Sequence, residues 1–502
     1  MSITGPGSIT AANISAVTNM NNQLDQLSTE LGTGQAAQTY SGLDSQAGLV
    51  LGLNAQLSAI NGYSDTATTV GTTLSVAQSA LTQIGSTATA VEQSLNQAAA
   101  FSLDNNGQTT TQEAAASQLD QILSLLNTQV GNNYLFSGSA VNQPSVASTS
   151  EILNGNGAQA GLDQVIAERQ QADLGTNGLG RLVIPAPSGS TVSISEDVAG
   201  SPFGFKLAGA SSTLTGATVS GPSGSPATIS VALGSNPNDG DSIQFSLNLP
   251  DGTNQTITLQ ATSSSTPGAN QFTIGATPAA TAANLQAALT TAVSNLAQTT
   301  LPAASAVAAA NDFFNSDPPL RVSGTPATST ALVAGTPANT VFWYTGEDGS
   351  TPARQTQTAE VGPSTSIAYG MRANEPAIST IVANVAALAA TTYSASDPNA
   401  QASYQALSQR VTANLDGQPG TQSIDDIEAD LANAQTTVKN ASDLNTQTQT
   451  TLTDMLQGID GINQDQIGED ILTLQNSLSA SLSVTARLAQ ISLVNYLAPV
   501  SG

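Results

Sequence analysis

The chain has no cysteine and no histidine among its 502 residues. Those absences exclude disulfides and zinc sites built on thiolate or imidazole. They also exclude Cys–His and Ser–His–Asp catalysis. Cations are scarce: 9 Lys and Arg face 35 Asp and Glu, a formal net charge of −26. Only Lys206 and Lys439 are lysines. Displacing phosphate counterions takes a cationic track, so no nucleic-acid partner is expected, and anionic membrane surfaces are disfavoured likewise. Aromatic residues are 4% of the chain, and no run of about 18 apolar residues exists to insert into a bilayer. The opening MSITGPGSIT has neither the basic nor the apolar region of a cleaved secretory signal. The Ser/Thr/Ala/Gly-rich, lysine-poor remainder suits a bacterial surface protein. Export without a cleaved signal peptide would then take a dedicated route.

What is present is a heptad seam at each end. Ile14, Val17, Met20, Leu24, Leu27 and Leu31 recur at steps of three and four. So do Val70, Leu74, Ala77, Leu81, Ile84, Ala88, Val91 and Leu95 after an opening Leu53, Leu57 and Ile60. Near the other end Ile424, Ile427, Leu431, Ala434, Val438 and Ala441 continue through Leu452, Met455, Ile459 and Ile462, with Asn445 and Thr448 as polar seam positions. A last helix carries Ile467, Ile471, Leu474, Leu478, Leu482, Leu488, Ile491, Val494 and Leu497. Such stripes keep one helix face toward a partner helix. Helices at opposite ends that each need a partner predict that the termini come together with the middle looped out. Shorter helices are predicted at 110–130, 162–171, 376–390 and 402–415, and Ser423 is the expected N-cap of the long C-terminal helix.

The middle changes character. Alternating runs at 191–195, 227–233, 243–249, 256–259 and 271–274, with a Pro250-Asp251-Gly252 hairpin signal, predict strands. Residues 281–299 turn helical, with Leu285, Leu289, Val293 and Leu296 on one face. The Ala/Thr/Pro-rich 301–340 reads as a linker, 341–346 as a strand, and 361–369 as part of a hairpin. The expected fold is mainly α with an inserted β-rich domain: an elongated antiparallel helical bundle whose N- and C-terminal coiled-coil helices meet. The expected segments are 1–42 (N-terminal assembly helix), 43–181 and 341–463 (two halves of a helical rod), 182–300 (inserted outer domain), 301–340 (linker) and 464–502 (C-terminal assembly helix).

Polar clusters offer little chemistry. Asp239-Gly240-Asp241, after Asn236 and Asn238, would suit Ca²⁺ only if a bidentate Glu followed at loop spacing; turn residues explain it better. Asp425, Asp426, Glu428 and Asp430 sit at a helix start, where carboxylates complement the dipole. Gly32-Thr33-Gly34 lacks the Gly-Lys-Ser/Thr of a phosphate loop. Arg169 and Arg181 would bind an anion or, more simply, pair with surface carboxylates such as Glu168. Catalytic residues, metal sites and cofactors are expected to be none, and the chain is read as no enzyme.

The residues resemble the flagellin and hook-associated protein family of bacterial flagella. Leu27-Ser28-Thr29-Glu30-Leu31-Gly32-Thr33-Gly34 is similar to that family's helix ending, and Ser41-Gly42-Leu43-Asp44-Ser45-Gln46-Ala47-Gly48 takes the place of its acidic element, keeping only Asp44, with Gln35 where a basic residue is usual. Tyr134-Leu135-Phe136-Ser137-Gly138, Tyr344 to Asp348, and Ile491 to Leu497 resemble motifs of the hook–filament junction subgroup. The likeness covers roughly 1–180 and 340–502. It implies a structural, self-assembling, secreted subunit of the extracellular flagellum that serves motility. Its termini would be disordered as a monomer and form a coiled-coil tube on assembly. Implied partners are the chain itself, other axial proteins (hook-associated proteins, flagellin) and an export chaperone. The assembly interface would be Ile14, Val17, Met20, Leu24, Leu27, Leu31, Ile471, Leu474, Leu478, Leu482, Leu488, Ile491, Val494 and Leu497. Filament flagellin is the alternative within the class; a surface-layer or adhesive protein is the alternative outside it.

Overall fold

The computed structural model describes residues 6–37, 39, 43, 45–97, 101–417 and 419–496. Ser41, Gly42, Asp44 and Leu497 lie outside the described residues. In chain order the helices are α1 (Pro6–Thr33), α2 (Ala47–Asn96), α3 (Thr110–Leu126), α4 (Thr149–Asn154), α5 (Leu162–Leu174), α6 (Pro278–Phe314), α7 (Pro376–Ala390), α8 (Ala400–Leu415), α9 (Ile424–Asp460) and α10 (Gln464–Tyr496). The chain divides into two compact units: Met1–Val70 with Glu360–Ile367 and Thr437–Gly502, and Gly71–Ala359 with Ala368–Thr436.

In the first unit, Leu53, Ile60 and Leu452 form a small buried cluster with Leu57, Tyr63, Leu456 and Ile459 against it. The heptad seam of α2 is real, and past Val70 it belongs to the second unit: Val70, Leu74, Ala77, Leu81, Ile84, Ala88, Val91 and Leu95 are all buried. Asn445, a polar seam position, is buried, and its Nδ2 donates to the Val361 carbonyl at 2.8 Å. A seam polar group with one designated acceptor penalises any other register. In the second unit Ser423 caps α9 reciprocally: its Oγ accepts from Asp426 N–H at 3.2 Å and its own N–H donates to Asp426 Oδ2 at 2.8 Å. Burial is absent there, and these hydrogen bonds hold the Asp426 carboxyl below the usual range.

The second unit is built on α6. Its N-terminal half, with Leu285, Leu289 and Val293, packs in one core with Phe245, Leu247, Ile257, Leu259 and Phe272. Val192, Ile194, Ile229 and Val231 belong to the same core, which two four-stranded sheets therefore share. One runs β3 (Leu182–Val183), β4 (Thr191–Glu196), β7 (Thr228–Leu233), β6 (Ala217–Ser223). The other runs β10 (Gln271–Thr273), β9 (Asn254–Thr262), β8 (Ser242–Asn248), β5 (Lys206–Ser212). Pairings are antiparallel except β10 on β9. β4 and β7 alternate half-buried and buried residues, as one-sided strands must. Short pairs β1 (Gln129–Val130) with β2 (Asn133–Tyr134), β11 (Leu320–Val322) with β12 (Leu332–Ala334), and β13 (Thr358–Gly362) with β14 (Thr365–Ala368) complete the strands.

The linker expected over 301–340 is not one. α6 runs on through Pro302, and Ala303, Ala304, Ser305, Ala306, Val307, Ala308, Ala309 and Ala310 are all buried. A helix of small residues buried all round has no amphipathic stripe to betray it. α7 is the same: Val382 to Ala390 are buried without interruption. The strand expected at 341–346 also fails to form; Thr340 and Tyr344 make isolated bridges to Ala160 and Val146, because the facing segments are irregular. β5 and β6 were not expected: Lys-Leu-Ala-Gly-Ala-Ser-Ser and Ala-Thr-Val-Ser-Gly-Pro-Ser are nearly devoid of β-branched and aromatic residues.

Candidate assembly surface

α1 ends where Gly34 adopts φ +74°, a left-handed conformation that favours glycine. Its N–H donates to the Glu30 carbonyl at 2.8 Å, and the next residues turn onto the end of α9. Ala36 N–H donates to the Asp460 carbonyl at 2.7 Å, and Gln35 bridges Gly461. A Cβ at Gly461 would stand 2.2 Å from the Gln457 carbonyl, so glycine is needed for the break before α10. The end of α1 thus meets the start of α10, and the two helices pack antiparallel.

Among the described side chains the pair has no dry core. Among the described side chains of α1 and α10 none is buried. Val17, Met20, Leu24 and Leu27 are half-buried, as are Ile471, Leu474 and Leu478. Three expected positions leave the α1–α10 seam: Ile14 is 57% exposed, Leu31 37% and Leu482 51%. Asn13, Glu30, Ser481 and Thr485 are the half-buried positions there instead. The reason is register: 467, 471, 474, 478, 481 and 485 keep the three-four rhythm, and Leu482 lies one residue past it. Leu472 and Leu482 belong to a second exposed stripe of α10, at 62% and 51%. Polar groups in the helices are satisfied locally: Thr18, Thr29 and Thr485 donate to carbonyls four residues back. Leu488, Ile491 and Val494 lie on α10, but their side chains are outside those described.

The second unit joins two motifs far apart in sequence. The Tyr134–Gly138 turn meets the segments 344–348 and 371–373: Glu347 N–H donates to the Ser137 carbonyl at 2.9 Å, Gly138 N–H to the Met371 carbonyl at 2.8 Å, and Ala373 N–H to the Phe136 carbonyl at 2.8 Å. Gly138 is left-handed, at φ +63°, and a Cβ there would press on Glu347. Arg372 bonds Glu347 at 2.6 Å and holds that carboxyl below its usual range.

The other polar clusters are structural. Arg169 and Arg181 do pair with carboxylates, but as buried groups and not with Glu168. Arg169 bridges Asp173 at 3.0 Å and Asp312 at 2.6 Å, over the Phe203 ring, and Arg181 meets Asp197 at 2.7 Å. Burial pushes the Asp173 carboxyl up against the pull of Arg169. Glu168 is held by Arg321 at 2.6 Å. Asp241 Oδ2 accepts the N–H groups of Thr215 and Asn238, each at 2.9 Å, and Asp239 accepts Ser263 N–H at 2.6 Å. These acceptors hold turns together and keep both carboxyls below their usual range. Among the described residues no group of carboxylates is arranged to hold a metal, and no helix is long and apolar enough to cross a membrane.

A search of curated proteins returned no match. Residues 8–141, which span α1, α2 and α3 and end after the Tyr134–Gly138 turn, match the family model described as the bacterial flagellin N-terminal helical region. Over that stretch the chain is similar to bacterial flagellins, and the match supports a structural subunit of the flagellum.

Proposed function

We propose that this chain is an axial structural subunit of the bacterial flagellum that assembles through α1 and α10, and specifically the hook–filament junction protein. One observation carries the reading: α1, which lies in the stretch that matches flagellins, packs on α10 without burying a single described side chain of either helix, while Ile14 and Leu31 on α1 and Leu472, Leu482 and Val484 on α10 stay exposed. Apolar area left in water is what neighbouring copies would remove. The interface comprises Ile14 to Leu31 on α1 and Ile471, Leu474, Leu478 and Leu482 on α10, continuing through Leu488, Ile491, Val494 and Leu497. The junction assignment rests on Tyr134–Gly138 and Tyr344–Asp348, which resemble that subgroup and are hydrogen-bonded to each other. Partners are further copies, other axial proteins and an export chaperone, and the location is the extracellular flagellum.

Immunogold labelling of intact cells tests this. Label confined to a band between hook and filament is the expected result. Label along the whole filament would make the chain a filament flagellin, and label absent from flagella would end the flagellar reading.

A further inference from the structure

A chain in which aromatic residues are only 4% gathers four of them at one cavity of the second unit. Its volume is about 370 Å³, and Phe314, Phe342, Trp343 and Tyr344 line it. Phe314 and Trp343 are buried, Phe342 and Tyr344 half-buried. The rings are held in place. Trp343, the chain's one tryptophan, meets Phe314 edge-to-face with 5.1 Å between ring centroids, and its Nε1 donates to the Phe314 carbonyl at 2.9 Å. The Tyr344 hydroxyl donates to the Glu347 carbonyl at 2.9 Å.

Asp317, just past α6, and Asp348 bring two carboxylates to the same lining. Both are exposed, and among the described residues neither side chain has a hydrogen bond or an ion pair. Asn374, half-buried before α7, also lines the cavity. Every Lys and Arg of the second unit, from Arg169 to Arg410, already pairs with another carboxylate. No cation of that unit is left for Asp317 or Asp348. Burial, and after it the Glu347, Asp348 and Glu375 carboxylates, push the Tyr344 phenol up against the pull of Arg372. The carboxylate share of that push is a negative potential at the cavity, which favours a cation.

We infer that this cavity binds a small aliphatic diamine, two ammonium heads joined by a methylene chain. The two unpaired carboxylates answer the two heads. The aromatic lining covers the methylenes, and ring faces attract ammonium groups through their quadrupoles. The Asn374 carboxamide oxygen offers a further acceptor. A bare divalent ion would need several oxygens at once and gain nothing from the rings, and among the described residues no group of carboxylates is arranged to hold one.

The single tryptophan makes the test local. Putrescine, butylamine and calcium chloride are titrated separately into the full-length chain at one ionic strength, followed by tryptophan fluorescence and by calorimetry. Putrescine should saturate and bind about tenfold tighter than butylamine, the worth of one further charged hydrogen bond. Asp317→Asn and Asp348→Asn should each weaken putrescine about tenfold for the same reason. Both side chains are exposed, so the urea midpoint should not move. Butylamine or calcium binding as tightly as putrescine, both variants keeping the original affinity, or no saturation by either readout would overturn the inference.

Discussion

The Ser403 hydroxyl donates to the Gln298 carbonyl at 3.0 Å. That carbonyl is the one Pro302, four residues on in α6, leaves without a helical N–H. Gln298 also accepts from Asn399 Nδ2 at 2.9 Å through its side chain. A proline that ought to weaken a helix thus creates the attachment point for α8. Ser403→Ala should cost about 1 kcal/mol of second-unit stability. The cost should shrink in a Pro302→Ala background, where the helical N–H returns. Urea unfolding of the four-member double-mutant cycle reads this.

Gln112 is fully buried. It closes a capping box with Thr109, and its Nε2 donates to the carbonyls of Leu388 at 3.0 Å and Thr391 at 2.6 Å, at the end of α7. One side chain therefore satisfies the start of one helix and the end of another. Gln112→Ala should destabilise the second unit by about 3 kcal/mol, from lost cap and orphaned carbonyls, read as a lowered urea midpoint with an unchanged slope.

Gly138→Ala places a side chain at a left-handed position and against Glu347. Left-handed backbone costs a non-glycine residue about 1–2 kcal/mol, and the Glu347–Arg372 pair must also move. Thermal unfolding should show a lowered midpoint; an unchanged one would mean that the turn relaxes without contacting 344–348.

On α10 the two stripes should separate in their effects. Leu478→Ala, in the half-buried seam, should lower helix content of the free subunit and assembly together. Leu482→Ala, exposed, should leave the free subunit's stability within about 0.5 kcal/mol and reduce assembly alone. Circular dichroism of the monomer and sedimentation of assembled material distinguish them.

Asp239 and Asp241 have folded pKa values below those of the unfolded chain, because backbone N–H groups bond the carboxylates. A depressed carboxylate stabilises above its unfolded pKa and loses that contribution as pH falls through the folded value. The unfolded value is about 3.9, so the loss lies below about pH 4. Asp241→Asn should make stability fall less steeply in that window, seen in denaturant midpoints measured between neutral and acid pH.

The legible parts of the sequence were those with contrast. The α2 seam, the β4, β7, β8 and β9 alternations and the Ser423 cap each mix apolar and polar residues at one period, so both period and face could be read. Ala303–Ala310 offers no such contrast, and its Pro302 reads as a breaker until Ser403 is seen to supply the missing donor. In the candidate surface, leucines drew attention to Leu482, whereas the seam position is Ser481: register followed the helix period, not side-chain size. Nothing in sequence pairs Arg169 with Asp312, since that contact depends on α5 lying against α6.

The central claim is that copies of the chain bury what the α1–α10 pair leaves in water. Amide hydrogen exchange on the free subunit and on assembled material measures it directly. The account predicts exchange over α1 and α10 at least a hundredfold slower after assembly, with the α6 and α7 amides protected in both. Equal protection of α1 and α10 in the two states would contradict it.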